Sequence, residues 1–167
     1  MREKLTKGDV EKINAELDHR KVVLRKEIAH EIAEAAAQGD RSENFEYYAA
    51  KKARGENESR IRYLENVLKN SIVISDQSAP DEVGMNNSVT VYDRDMEEEE
   101  TYRIVTAMRA NILGNQITID SPMGRALMHR RVGDVVRVQG NDGYSYEVEI
   151  RSIDKSNDES EDRIRSF

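Results

Sequence analysis

Two carboxylates, Asp40 and Glu43, lie three residues apart between two helical sequence patterns. Carboxylate oxygens suit Mg²⁺, which often takes only one or two protein carboxylates and keeps several of its waters. Two carboxylates cannot complete such a site, so the other ligands would have to come from a partner or a substrate phosphate. A structural role is the alternative, because acidic residues near a helix N-terminus complement the helix dipole and Asp40 or Ser42 could cap the helix. From the spacing alone, both interpretations stay open.

Two long helical patterns flank these carboxylates. Over residues 6–38, apolar side chains recur at spacings of three, four and seven, which places them on one stripe of a helix. Thr6 and Asp9 resemble a capping box at its start, and Gly39 is suited to a left-handed C-cap. The second pattern runs over about residues 42–69, with a seven-residue repeat of seam positions. These seam positions are Tyr47, Ala50, Arg54, Asn57, Ile61, Leu64 and Leu68.

The short connection between the two helices predicts that they run antiparallel. At 1.5 Å per residue each helix spans roughly 40–50 Å, which is longer than a small domain is wide. We therefore expect a coiled-coil hairpin over residues 1–75 that carries an acidic tip at residues 39–44.

The second half of the chain predicts a small sheet. Residues 76–87 have the composition of a linker, and Ser121 and Pro122 read as the start of a short helix. Gly140-Asn141-Asp142-Gly143 is a hairpin turn signal. We predict an antiparallel domain over residues 88–154 and a disordered acidic tail over 155–167. Its expected strands cover residues 88–92, 101–105, 116–119, 135–139 and 144–153.

The amino-acid composition excludes several kinds of site and of partner. The chain has no cysteine and three histidines, which excludes disulfides and zinc–thiolate sites and disfavours a histidine metal cage. No apolar run approaches the roughly 18 residues of a membrane span. Residues 1–75 hold 15 basic and 14 acidic side chains, and residues 76–167 hold 11 and 19, so the acidic half argues against extensive nucleic-acid coating. We expect a cytoplasmic protein without a membrane partner.

Two stretches carry a family resemblance that extends to about Asp154. Residues 39–47 read Gly-Asp-Arg-Ser-Glu-Asn-Phe-Glu-Tyr, and residues 119–127 read Ile-Asp-Ser-Pro-Met-Gly-Arg-Ala-Leu. In this order they resemble the bacterial Gre transcript-cleavage factors of the GreA/GreB type, and GreA most closely. The resemblance implies an α+β chain in which an N-terminal antiparallel coiled-coil hairpin precedes a small FKBP-like antiparallel β-sheet domain with a short helix.

The resemblance also implies a mechanism. The globular domain would dock on the rim of the secondary channel of bacterial RNA polymerase, and the hairpin tip would reach the active site. There Asp40 and Glu43 would help to hold a second Mg²⁺, shared with the polymerase, while backtracked nascent RNA is hydrolysed. The protein would be a catalytic accessory factor, monomeric, with no ion bound tightly on its own.

Further residues receive roles from the same resemblance. Tyr47 could contact RNA or the channel, or pack at the helix seam. Lys51, Lys52 and Arg54 could contact RNA phosphates, or form an ordinary solvated face. The implied polymerase-docking residues, whose alternative role is to begin a short helix, are Asp120, Ser121, Pro122 and Met123.

The chain departs from the family pattern at several positions. Phe45 and Tyr48 make the tip bulkier, and residues 106–111 replace an acidic loop. Two other functions stay open: a Gre-fold regulator that occupies the channel and inhibits polymerase without cleavage, and a prolyl isomerase or chaperone in the FKBP-like half. The intact tip carboxylates argue against the first, and the few aromatic residues after Ser88 argue against the second.

Overall fold

The computed structural model describes residues 2–39, 44–110, 114–160 and 162–166, and it divides into two compact units. The first unit is built mainly from Val10–Ser71, and the second combines Lys4–Asp9 with Ile72–Phe167. Within these described ranges, no helix has both the length and the apolar character that crossing a membrane requires.

One long helix begins the first unit's hairpin. It consists of α1 (Lys7–Asp18), a six-residue π-helical segment (His19–Leu24) and α2 (Arg25–Ala36). The predicted capping box is confirmed at its start: the Thr6 amide donates to the Asp9 carboxylate at 2.9 Å, and the Asp9 amide donates to the Thr6 hydroxyl at 3.1 Å.

Helix α3 (Phe45–Asn70) returns antiparallel to the first helix. Ion pairs join the two, including Glu16 with Arg60 at 2.9 Å and Arg25 with Glu58 at 2.8 Å. Arg54, predicted at the seam, is exposed, because the buried stripe passes through Ala50 and Asn57 instead. The buried apolar residues of the hairpin are Ile13, Leu17, Ile28, Ala35, Ala50, Ile61, Leu64 and Val67.

The π-helical segment faces a buried asparagine of the opposite helix. The Asn57 side-chain amide donates to the Arg20 carbonyl at 3.2 Å, and the Arg20 guanidinium donates to the Asn57 side-chain oxygen at 3.0 Å. The Arg25 amide also donates to the Arg20 carbonyl, five residues back. This carbonyl therefore serves two donors, and the helix is locally widened where Asn57 inserts its side chain.

The second unit contains two sheets. In the smaller, β1 (Lys4–Leu5) pairs parallel with β2 (Ile72–Val73). The larger has the strand order β5-β4-β3-β7-β6, and helix α4 (Pro122–Leu127) follows β5. Its strands are β3 (Ser88–Asp93), β4 (Glu98–Val105), β5 (Gln116–Thr118), β6 (Val135–Gln139) and β7 (Ser145–Asp154).

The predicted fold class is confirmed, and all five predicted strands are present. One pairing differs, because β5 runs parallel to β4 rather than antiparallel. The predicted turn joins β6 to β7: the Gly140 amide donates to the Tyr144 carbonyl at 2.9 Å, and Gly143 has a φ of +82°.

Two segments with polar compositions belong to this unit's structure. Residues 76–87, predicted to be a linker, contribute Val83 and Met85 to the core beneath the larger sheet. Residues 155–167, predicted to be a disordered tail, include Asp162, whose side chain is 4% exposed and ion-paired. Both differences arise from contacts with residues distant in sequence.

Candidate functional site

The predicted catalytic residues Asp40 and Glu43 lie outside the described residues, so their role stays a prediction. The chain is described up to Gly39 and again from Asn44. On the first side, α2 ends at Ala36, and Gly39 has a φ of +117°, a backbone conformation that glycine adopts without steric cost.

Asn44 is the N-cap of α3. Its side-chain oxygen accepts a hydrogen bond from the Tyr47 amide at 3.0 Å, and its side-chain nitrogen donates to the Ala35 carbonyl at 2.6 Å. One residue thus caps α3 and ties it to the last turn of α2. The cap that the sequence assigned to Asp40 or Ser42 is therefore made by Asn44, and α3 does not require a carboxylate for this purpose.

Aromatic side chains lie on the first turn of α3. Phe45 is 87% exposed and Tyr48 is 53% exposed. The Tyr47 and Tyr48 rings contact edge to face with centroids 5.7 Å apart, and the Lys51 ammonium lies 5.4 Å from the centre of the Tyr47 ring. Exposed apolar surface at the end of a hairpin provides little stability to the hairpin itself, and is suited to contact with another molecule.

The three predicted basic residues of α3 differ in their surroundings. Lys51, Lys52 and Arg54 are all exposed. The Lys52 ammonium lies 3.9 Å from the Glu56 carboxylate one helical turn away, a contact that contributes little at an exposed position. Arg54 lines a shallow groove between α2 and α3 together with Ile28 and Ile32. Their contact with RNA phosphates stays a prediction.

The predicted docking residues lie at the start of α4. The Ser121 hydroxyl accepts a hydrogen bond from the Gly124 amide at 3.0 Å and donates to the Thr118 carbonyl at 2.6 Å, and Pro122 occupies the first turn. A Cβ on Gly124 would lie 2.1 Å from the Thr118 carbonyl oxygen, so this turn requires glycine.

Asp120 and Met123 each contact another part of the second unit. The Lys4 ammonium lies 2.9 Å from an Asp120 carboxylate oxygen. Met123, one of the implied docking residues, is half-buried and packs against the core of the sheet, so it supports the fold. Pro122 is also half-buried, and it occupies the first turn of α4.

A groove beside Met123 was not predicted from the sequence. It lies on one face of β3, β4 and β7, where Tyr102 and Tyr146 meet three carboxylates. Burial and the neighbouring Glu100 carboxylate, to which the Tyr102 hydroxyl donates a hydrogen bond, raise the pKa of Tyr102 well above its ordinary value. The sequence signal that could have indicated this groove is the period-two spacing of acidic and aromatic residues along β4. The carboxylates are Asp93, Glu98 and Glu100.

The described residues contain no group of three or more histidine, aspartate or glutamate side chains placed to hold a metal ion. Asp40 and Glu43 lie outside these described residues, and their role as Mg²⁺ ligands stays a prediction.

Comparison with known proteins matches nearly the whole chain. Residues 3–73 match the family "Transcription elongation factor, N-terminal" (GreA_GreB_N), and residues 77–155 match "Transcription elongation factor, GreA/GreB, C-term". Transcription elongation factor GreA of Geobacillus kaustophilus is 44% identical over 136 residues, covering 81% of this chain and 86% of that protein. The GreA of Clostridium beijerinckii is 40% identical over 153 residues, covering 91% and 95%.

A solved structure is also similar. It is the crystal structure of GreA factor homolog 1 of Thermus thermophilus, whose sequence is 27% identical to this chain. The alignment covers 92% of this chain and 99% of that chain, with a TM-score of 0.42. A score of this size does not add to what the sequence matches establish.

Proposed function

The chain belongs to the GreA/GreB family of transcription elongation factors, and we propose that it rescues arrested transcription by stimulating RNA cleavage. In this proposal, the hairpin tip enters the secondary channel of bacterial RNA polymerase while the second unit docks on the channel rim. The polymerase then hydrolyses the backtracked nascent RNA. The factor acts as a monomer in the cytoplasm and has no nuclease activity of its own.

The observation that carries the proposal is the position of Asp40 and Glu43 immediately before the Asn44 cap. The Asn44 side chain accepts a hydrogen bond from the Tyr47 amide at the start of α3 and donates one to the Ala35 carbonyl of the opposite helix. Because Asn44 provides the cap of α3, we assign the two carboxylates another task. Their place between two helices joined by a short connection suits delivery into a narrow cavity.

Asp40 and Glu43 are the residues of this chain that would hold Mg²⁺. Two carboxylates provide hard oxygen ligands of the kind that this ion prefers, and they are too few for a complete site. When bound, the ion would act as a Lewis acid and stabilise the negative charge that develops on the oxygens of the phosphodiester. The polymerase and the RNA phosphate would supply the other ligands.

The remaining predicted residues position the RNA and the protein. Lys51, Lys52 and Arg54 are exposed on α3 and offer positive charge to the phosphates of the displaced RNA. Tyr47 is half-buried and its ring contacts that of Tyr48, so we assign it to packing at the start of α3 rather than to RNA contact. The start of α4, at Ser121 and Pro122, is the docking surface, and it is supported by the packing of Met123 on the core and by the Lys4–Asp120 pair.

A cleavage assay tests the proposal. Purified protein is added to backtracked elongation complexes that carry end-labelled RNA, and shortened RNA with resumed elongation is the expected result. The same protein with Mg²⁺ and free RNA should give no cleavage. Binding to the polymerase with inhibition and no shortened RNA would instead identify the inhibitory regulator, and cleavage of free RNA would mean that the chain carries a complete active site.

A further inference from the structure

We propose that Arg103 and Arg109 form a binding site for an acidic peptide segment, and that the chain's own C-terminal residues occupy it. The ligand class is a segment with two carboxylates three residues apart, here Glu159 and Asp162. This inference concerns the second unit alone and does not rest on the proposed function.

Asp162 is the centre of the contact. Its carboxylate accepts two hydrogen bonds from the Arg103 guanidinium, at 2.7 and 2.8 Å, and one from Arg109 at 3.1 Å. The Asp162 side chain is 4% exposed, and the Arg103 and Arg109 side chains are 17% and 1% exposed. A two-pronged arginine–carboxylate pair that is shielded from water is among the stronger polar contacts available to a protein.

The charges of the site require an additional anion. The Arg109 guanidinium also donates to the Asp9 carboxylate, whose other oxygen accepts a hydrogen bond from the Thr106 hydroxyl at 2.7 Å. Among the described residues outside the C-terminal segment, Asp9 is the one carboxylate with a hydrogen bond or ion pair to either guanidinium group. A buried charge that lacks its partner is strongly destabilising, so the tail carboxylates complete a site that the rest of the unit leaves positive.

Glu159 adds the second carboxylate. One of its oxygens lies 3.0 Å from the Arg109 guanidinium and accepts a hydrogen bond from the Asn86 side-chain amide at 2.6 Å. The Asp162 amide donates to the Glu159 carbonyl at 3.0 Å, and both carboxylates contact the Arg109 guanidinium. The spacing of three residues is thus part of what the site recognises.

The C-terminal segment also forms hydrogen bonds with the rest of the unit at positions away from the two arginines. The Lys155 ammonium donates to the Ala79 and Glu82 carbonyls at 2.9 and 2.6 Å. The Asn87 side chain donates to that of Asn157 at 2.9 Å, and the Arg165 amide donates to the Met108 carbonyl at 2.7 Å. Attraction by charge alone would not align neutral and backbone groups at several positions along one segment.

The two acidic residues lie outside the part of the chain that matches the C-terminal family. The match to the GreA/GreB C-terminal family ends at residue 155, so Glu159 and Asp162 both lie beyond it. Arg103 and Arg109 lie inside the matched region. The contact therefore joins residues inside the matched region to residues beyond it.

Hydrogen exchange of the whole chain tests the contact, with Asp162→Asn as the variant and Asp154→Asn as the matched control. Asp154 is exposed at the end of β7, and its carboxylate accepts a hydrogen bond from the Ser156 amide. We expect Asp162→Asn to accelerate exchange of the Arg165 amide at least about tenfold, which corresponds to about 1.4 kcal/mol of local opening. Asp154→Asn should change it by less than about twofold.

If Asp162→Asn unfolds the whole unit, a second variant, Arg103→Lys, tests the same contact. Lysine retains the charge but not the two-pronged geometry, so exchange at Arg165 should again accelerate while core amides such as that of Val91 stay protected. Equal exchange at Arg165 in wild type and both of these variants would overturn the proposal.

Binding in trans tests the ligand class. A fluorescent synthetic peptide of residues 154–167 is titrated into full-length Glu159→Gln/Asp162→Asn protein, whose own tail lacks both carboxylates. We expect it to bind at least about tenfold more tightly than to wild type, and a peptide carrying the same two substitutions should lose that advantage. Equal binding of both peptides, or equal binding to both proteins, would show a nonspecific charge effect and contradict the site.

Discussion

The Asn44 side-chain nitrogen lies 2.6 Å from the Ala35 carbonyl oxygen, and this hydrogen bond joins the two helices at the end of the hairpin. The eight residues between Ala35 and Asn44 in the sequence include Asp40 and Glu43. Because the same side chain caps α3, one residue fixes both ends of the loop that carries the proposed catalytic carboxylates.

Asn44→Ala should therefore weaken cleavage more than folding. Loss of the cap costs about 1 kcal/mol, and a less constrained loop should lower the stimulated cleavage rate by about tenfold. Polymerase affinity should not change, because the docking surface lies elsewhere. Asn70→Ala is the control, since Asn70 is exposed at the other end of α3. Undiminished cleavage by Asn44→Ala would mean that the loop does not need this tie.

Pro122→Glu tests the docking surface. Glutamate is accepted in the first turn of a helix, so α4 should form, but a charge at the centre of an interface should weaken polymerase binding by at least about tenfold. Val132→Glu is the control, because Val132 is 54% exposed in the same unit. Both variants would be compared by competition with labelled wild type. Equal affinity for the two variants would remove Pro122 from the interface.

The hairpin should lose part of its stability in acid through Glu16. Burial alone would raise the pKa of Glu16, but the hydrogen bonds and charges of Arg60 and Arg20 outweigh it and hold the pKa below the ordinary 4.5. The charged form is thus favoured by folding, and its contribution is complete above pH 4.5 and disappears as the pH falls through the lowered value.

Glu16→Gln isolates this contribution. The variant should be less stable than wild type by about 1–2 kcal/mol at pH 7, a value between those of exposed and buried pairs, and the difference should shrink below pH 4.5. Urea unfolding followed by the helical circular dichroism signal measures it. Glu11→Gln, at an exposed position of α1, should show no such trend. A difference that is independent of pH would contradict the charge pairing.

Local patterns predicted much of the fold. The capping box of Thr6 and Asp9 and the turn at residues 140–143 depend on neighbours in sequence, and both formed as expected. The stripe of small and apolar residues placed Ala50 and Ile61 in the hairpin core.

Features that depend on distant partners were not predicted. The π-helical segment exists where Asn57 of the opposite helix reaches the Arg20 carbonyl, and nothing in residues 19–24 indicates it. Similarly, Asp162 and Arg109 resemble solvated surface charges until the fold brings them together. For the proposed site, the sequence indicated the residues, whereas the structure contributed the Asn44 cap beside them.

The most direct test compares cleavage and binding on the same tip variants, Asp40→Asn and Glu43→Gln. Each keeps the size of the side chain and removes its charge, and Glu31→Gln makes the same change at an exposed position of α2. Cleavage rates are measured on backtracked complexes, and polymerase affinity is measured by competition with wild type.

If Asp40 and Glu43 share a catalytic Mg²⁺, each tip variant should lose about two to three orders of magnitude in stimulated cleavage and still compete normally for the polymerase. Glu31→Gln should behave as wild type. A tip variant that binds normally and stimulates cleavage at nearly the wild-type rate would show that the two carboxylates are structural, and would contradict the proposed function of the hairpin tip.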